Sequence, residues 1–377
     1  MTLSFPALSR RSLLLGAAGA AVAAPALAQP GTNSRALAIA QIYDTSPAQQ
    51  DVSKDFLIGS RAAWQDINTK GGVRGRPVQH LAIEVNGTAA GVRAALAQVR
   101  DNPNCVALSG TCGDPAATAV LQALRQDNLG IAHVAPWLQN SSVELDERTF
   151  AIFAARQEQV AHALKSLAVM GMQEVGAVYA SATEESLYRA DVQRIATELK
   201  LTLRSYRGEG DLVQLGRKLS AASPAILVFV GGTPELVQLT QGLDRQQRQR
   251  YVVALADVNL QTVMQMGAAR HTPLIATQVV PMVTAGLPVV RAYRDVLSRL
   301  FDEPPTPLGL AGFIAARCTY EVLAEMDGAP TRASVLAAFQ RRGGAELGGY
   351  RVAFDPRRRG AAYVTQSMLT QDGRVVG

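Results

Sequence analysis

The residues that offer chemistry in this chain follow short apolar runs. After 106–109 comes Ser109-Gly110-Thr111-Cys112-Gly113-Asp114, which opens onto Pro115 and an amphipathic stretch. The free N–H groups and positive dipole end of such a helix start suit a carboxylate. Gly113, Asp114 and the Thr111 hydroxyl are therefore candidate ligand contacts, with an ordinary capped turn as the alternative. After 131–134 comes Ala135-Pro136-Trp137-Leu138-Gln139. Trp137 either offers a flat apolar wall to a ligand or packs in the core. Gln139 can give or take one hydrogen bond. After the first apolar run, Tyr43 or Ser46 is placed to line a cleft. Glu184 reads either as a ligand contact or as an acid of a first helical turn. Gly231, beside Gly232, permits close backbone approach. Asp257 follows 251–255. A carboxylate in a partly dry cleft attracts a cation strongly, or it caps the next helix.

Enzyme motifs are missing from the sequence. No G-x-G-x-x-G follows the first apolar run, and neither G-x-S-x-G nor H-E-x-x-H occurs. His80, His133, His162 and His271 are scattered, and no CxxC is present, so neither a metal nor a cofactor is expected. Cys105 and Cys112 flank an apolar run. Extended, they stand roughly 20 Å apart, too far for a disulfide. Lys and Arg are spread along the chain except at Arg357-Arg358-Arg359, which reads as an exposed turn rather than a nucleic-acid patch.

These residues need a scaffold that brings run ends together. Short apolar runs at 37–42, 78–85, 106–109 and 131–134 alternate with amphipathic stretches at 53–70, 88–99 and 115–126. A second set of runs, 175–179, 202–206, 225–230, 251–255 and 274–280, alternates with 157–170, 184–200, 212–219 and 234–243. Such alternation predicts βαβ units and parallel sheets. In open α/β sheets, ligands bind beyond the carboxyl ends of the strands. At 377 residues the chain exceeds the ~250–300 at which single cores split, so two domains are expected. Three helical stretches follow at 288–301, 308–326 and 331–341; strands at 349–354 and 362–369 then flank a polar turn, and Gln371-Asp372-Gly373 marks a last hairpin.

The N-terminus carries an address. Arg10-Arg11 precedes an apolar run and Ala26-Leu27-Ala28, the parts of a secretory signal peptide with a twin-arginine pair. The apolar segment, about 16 residues, is shorter than the roughly 20 a spanning helix needs. Residues 1–28 are expected to be removed, leaving an exported chain that does not span a membrane.

Asp66-Ile67-Asn68-Thr69-Lys70-Gly71-Gly72-Val73-Arg74-Gly75-Arg76 resembles the D-I-N-x-x-G-G-V-x-G-R/K segment of type I periplasmic binding proteins, the leucine/isoleucine/valine-binding kind that serve ABC transporters. Ile226–Gly232 with Pro234-Glu235 resembles that family's V-x-x-G-G-x-x-P-E stretch. The resemblance implies an α/β fold of two Rossmann-like lobes with parallel sheets, joined by crossover hinges. It places 35–148 and 281–340 in one lobe, and 149–280 and 341–377 in the other. It implies a periplasmic monomer that captures an amino acid, an amide or an aromatic acid and delivers it to ABC permease subunits. A ligand-binding sensory module is the alternative. Under the resemblance, Asp257 meets a ligand ammonium. Trp137 and Gln139 replace a small residue and a Thr, Gly113 stands where many relatives have Ser, and Glu184 lies near a usual Tyr.

Overall fold

The computed structural model describes residues 36–244, 246, 248–268, 271–354, 363–370 and 372–377. The export segment 1–28, Arg357-Arg358-Arg359 and Gln371 lie outside the described residues. Strands β1 (Leu37–Asp44), β2 (Val78–Val85), β3 (Cys105–Ser109), β4 (Ala132–Val134) and β5 (Thr149–Phe150) make one parallel sheet in the order β2-β1-β3-β4-β5. Helices α1 (Gln50–Thr69), α2 (Ala89–Asp101) and α3 (Asp114–Gln126) connect its strands. Buried Ala, Val, Ile and Leu dominate β1 and β3, as expected for a sheet covered on both faces.

Helix α4 (Arg156–Val169) then leads into β6 (Glu174–Tyr179), and the pattern repeats. Helix α5 (Ala182–Glu198), β7 (Thr202–Arg207), α6 (Leu212–Lys218), β8 (Ile226–Val230), α7 (Thr233–Leu243), β9 (Tyr251–Ala254), α8 (Leu260–Gln265) and β10 (Leu274–Gln278) follow. The chain next forms α9 (Pro288–Leu300), α10 (Pro307–Glu325) and α11 (Arg332–Gln340). A hairpin of β11 (Gly344–Leu347) and β12 (Tyr350–Ala353) follows, then β13 (Thr365–Leu369) and β14 (Val375–Val376). The second sheet has the order β14-β13-β10-β9-β8-β6-β7, antiparallel only at β13 and β14. The α/β architecture with parallel sheets is the one the sequence predicts.

Helices α9, α10 and α11 return to the first sheet. Val290, Tyr293, Phe313, Val322 and Phe339 join one buried cluster with Ile39, Phe56 and Val106. Close approach of α1 and α10 depends on glycine. A Cβ on Gly59 would fall 1.7 Å from the Gly309 carbonyl oxygen, and one on Gly312 would fall 1.9 Å from that of Phe56. The Asp66–Arg76 segment is structural: buried Asp66 binds Lys70 at 2.6 Å and Arg299 of α9 at 3.1 Å, pinning the end of α1.

The last strands pair differently from expectation. Strand β12 pairs with β11 across Gly348-Gly349, whereas β13 pairs with β10, so 349–354 and 362–369 do not flank one turn. A four-residue strand such as β11 is too short to show a period in the sequence. The hairpin buries Tyr350 and Val352 in the first sheet's cluster. Cys105, Cys112 and Cys318 are buried free thiols. Burial pushes the Cys105 thiol up to about 11. Among the described residues no helix is long and apolar enough to cross a membrane, and no His/Cys/Asp/Glu cluster is arranged to hold a metal ion.

Candidate ligand-binding site

The loops after β3 and β4 are tied to each other before they reach any ligand. Gly110 N–H donates to the Val134 carbonyl at 2.9 Å, and Trp137 N–H donates to that of Thr111 at 2.8 Å. Between them, Ala135 has φ 50. For a residue with a Cβ that conformation costs roughly 1–2 kcal/mol, and such strain gathers where loops are held for function. The turn delivers Trp137 to a closed aromatic corner. Its ring meets Phe153 at 5.3 Å and Phe56 at 5.8 Å between centroids.

Trp137 Nε1 donates to Asp257 Oδ1 at 2.8 Å. This bond joins the loop after β4 of the first sheet to the loop after β9 of the second. The other carboxylate oxygen, Oδ2, accepts from Arg156 Nε at 2.9 Å and Nη2 at 2.7 Å. Arg156 Nη1 donates to Glu184 Oε2 at 2.6 Å, and the guanidinium carbon sits 5.1 Å from the centre of the Tyr188 ring. Asp257 is 4% exposed and Arg156 5%. Burial by itself would lower the Arg156 pKa. The fields of Asp257, Glu184, Tyr188 and Asp114 outweigh it, so the guanidinium is held well above its usual value. Burial raises the Glu184 carboxyl, Arg156 opposes the rise, and Asp257 and Asp114 add to it.

A second chain of contacts runs beside the first. Gln139 N–H donates to Asp114 Oδ1 at 2.6 Å, and the Gln139 carbonyl accepts from Arg156 N–H at 2.8 Å. Gln159, one turn into α4, donates from Nε2 to Gln139 Oε1 at 2.9 Å and to the Ala154 carbonyl at 3.1 Å. Its Oε1 accepts from Ala256 N–H at 2.8 Å and from the Thr277 hydroxyl at 2.9 Å. Elsewhere, Asn259 Nδ2 of the β9–α8 loop donates to Asp55 Oδ2 of α1 at 2.7 Å.

Of the residues singled out in the sequence, Asp114, Trp137, Gln139, Glu184 and Asp257 come together. Asp257 meets Arg156 where a ligand ammonium was expected. It is not the cap of α8; Asn259 is, accepting from Gln261 and Thr262 N–H. Four others stand apart. Thr111 Oγ1 is 3.0 Å from Nε2 of the buried His133, so its hydroxyl is engaged. Gly113, at φ 96, lies against Asp44: an added Cβ would stand 2.5 Å from the Asp44 Cβ. A carboxylate of the chain itself thus sits beside the start of α3, where a ligand carboxylate was expected. Tyr43 donates to Glu84 at 3.3 Å. Gly231 makes room for Ala180 and the Phe229 ring.

Sequence reasoning missed Arg156, Gln159 and Tyr188. Arg156 carried a readable signal. A cation in the first turn of a helix opposes the macrodipole, which implies that nearby anions hold it there.

An apolar pocket adjoins the cluster. Trp137, Val258, Leu260, Thr277, Val279 and Met282 are among its walls. Its volume is about 30 Å³. That is room for only a water or two.

A family profile described as "Periplasmic binding protein" matches residues 36–371. No curated protein matches the chain in sequence. Similar solved structures include an extracellular ligand-binding receptor from Verminephrobacter eiseniae, at 18% identity and TM-score 0.80, with 91% of this chain and 100% of that one covered. Another is a fatty acid ABC transporter substrate-binding protein from Thermomonospora curvata, at 14% identity and TM-score 0.76, with 91% of each chain covered. A third is the branched-chain amino acid transporter substrate-binding protein LivJ from Streptococcus pneumoniae in complex with isoleucine, at 13% identity and TM-score 0.75, covering 90% of this chain and 98% of that one. At such identities these likenesses carry the fold. Because the profile spans nearly the whole chain, the protein belongs to the periplasmic binding protein family.

Proposed function

We propose that this protein is the solute-binding component of an ABC transporter, not an enzyme. It captures a small organic ligand between two lobes and presents it to permease subunits. The observation that carries this reading is the contact of Trp137, from the loop after β4, with Asp257, from the loop after β9. Strand ends of two parallel sheets face each other there, the position at which α/β sheets bind ligands. Residues 35–148 and 281–340 form the first lobe; β5 and the β11–β12 hairpin, expected in the other lobe, pack on this one instead. The rest of 149–280 and 341–377 forms the second, and lobe closure about the crossovers traps the ligand. Export through the twin-arginine pair delivers the chain, as a monomer, to the periplasm. The ligand is an amino acid, an amide or an aromatic acid. A thermal-shift screen of the mature chain against these three classes tests the reading. A ligand at 100 times its Kd adds roughly 2.7 kcal/mol of stability. If no member of any class stabilises the protein, this function is wrong.

A further inference from the structure

We infer that Asp55 of α1 and Asn259 of the β9–α8 loop are positioning residues for lobe closure: their hydrogen bond is a latch that keeps the cleft shut before any solute arrives. This rests on the two-lobe reading of the chain. It concerns residues outside the Trp137–Asp257–Arg156 cluster.

The latch joins the layers of the two sheets. Helix α1 connects β1 to β2 of the first sheet, and α8 connects β9 to β10 of the second. Asn259 Nδ2 donates to Asp55 Oδ2 at 2.7 Å. The polarity of this bond is fixed by the helix that Asn259 caps. Its Oδ1 accepts from Gln261 N–H at 3.0 Å and Thr262 N–H at 3.3 Å, so the atom facing α1 is the amide nitrogen. An ionised carboxylate can only accept, and Asp55 meets that donor.

The bond can form and break without unfolding either side. Asn259 keeps its cap of α8, and its N–H is held by the Thr233 hydroxyl at the start of α7, at 3.2 Å. Asp55 keeps a bond from Thr306, the N-cap of α10. The Arg156–Asp257 pair is different in kind. Both its members belong to α4 and the β9–α8 loop, on the second sheet's side, so it cannot by itself draw the sheets together. Asp257 is also neutralised by Arg156, whereas among the described residues Asp55 has no ion-pair partner. Burial raises the Asp55 carboxyl, and the Asn259 and Thr306 bonds oppose the rise. A hydrogen bond to a carboxylate of this kind is roughly twice as strong as one between neutral groups. Asn259 lines the apolar pocket, as do Pro305 and Pro307 on either side of Thr306, so the latch adjoins the same pocket as Trp137.

The test is small-angle scattering of the mature chain at pH 8, freed of bound solute by dialysis from urea. Asn259→Asp retains a good cap for α8 but sets a second carboxylate against Asp55, which repels it. Asp55→Ala removes the acceptor and leaves the cap untouched. Each should lower the closed-to-open ratio at least tenfold, the weight of one charged hydrogen bond, and enlarge the radius of gyration. Asp55→Asn combined with Asn259→Asp restores a donor and an acceptor with the direction reversed, so the radius should return to the wild-type value. A merely structural contact would lower the melting temperature of the single variants and leave their radius unchanged, which overturns the inference. A wild-type radius already larger than that of the described structure overturns it, and so does a double variant that stays expanded. If Asn259→Asp does not fold, Asp55→Ala decides, since alanine is the strongest helix former. Failure here leaves the solute-binding reading standing, because that reading is judged by ligand-induced stabilisation alone.

Discussion

Asp257 and Arg156 form an ion pair with both side chains buried. Removing one member of a buried ion pair strands the other, at about 3–5 kcal/mol. Glu184 stays beside Arg156 in an Asp257→Asn variant, so the loss should lie near the lower end, about 3 kcal/mol. Urea denaturation would measure it; a loss under about 1 kcal/mol would mean that the pair is solvated in solution. His133 provides a separate handle through pH. It is fully buried between the Thr111 and Thr149 hydroxyls, and burial lowers its pKa from 6.5 to about 4. Below 6.5 the unfolded chain takes up a proton that the folded chain refuses. Its contribution to stability is complete above pH 6.5 and is lost as pH falls toward 4. His80 acts in the same direction, and the raised Glu184 carboxyl acts in the opposite one. A comparison with His133→Gln isolates the effect: urea midpoints from pH 7.5 to 4.5 should fall less steeply in the variant than in the wild type.

At the scale of elements, loop geometry determines which groups are free. The start of α3 looked in sequence like an empty anion cradle, yet Gly113 exists there so that Asp44 can approach. Gly113→Ala forces a Cβ to within 2.5 Å of the Asp44 Cβ at a φ of 96. The expected cost is about 2–3 kcal/mol, read as a lowered urea midpoint with the denaturant slope unchanged. A neutral result would mean that the β1–α1 loop yields. The same distinction explains what the sequence could show. The strand and helix alternation was legible because apolar periodicity is local, and it located Trp137, Gln139 and Asp257 at strand ends. Short elements such as β5, β11, β14 and α8 carry too few residues for a period. Arg156 lies at a helix start, not a strand end. Its partners stand 101 and 28 residues further along the chain, so only the fold brings them together. The occupation of Asp257 by Arg156 is tertiary information of this kind.

At the scale of the whole molecule, the indole of Trp137 joins the loop after β4 of the first sheet to the loop after β9 of the second, so the proposed lobe closure is measurable there. The protein has two tryptophans. Trp64 lies in α1 and is buried in the first cluster, remote in sequence from every cleft loop. Trp137 is 1% exposed, and its indole N–H donates to Asp257 of the second sheet's β9–α8 loop. A Trp64→Phe protein reports from Trp137 alone. In the closed form its emission should lie to the blue, as for an indole out of water. Adding Asp257→Asn removes the charged acceptor across the cleft and weakens the ion pair that braces it. Part of the population then opens, so the emission should shift to the red and small-angle scattering should give a larger radius of gyration. A ligand that binds only the closed form shifts the balance by its own differential affinity. It should therefore restore blue emission in the variant while changing the wild type little. A variant whose emission and radius match those of the parent would show that packing of Phe56, Phe153 and Trp137 holds the lobes shut without the ion pair.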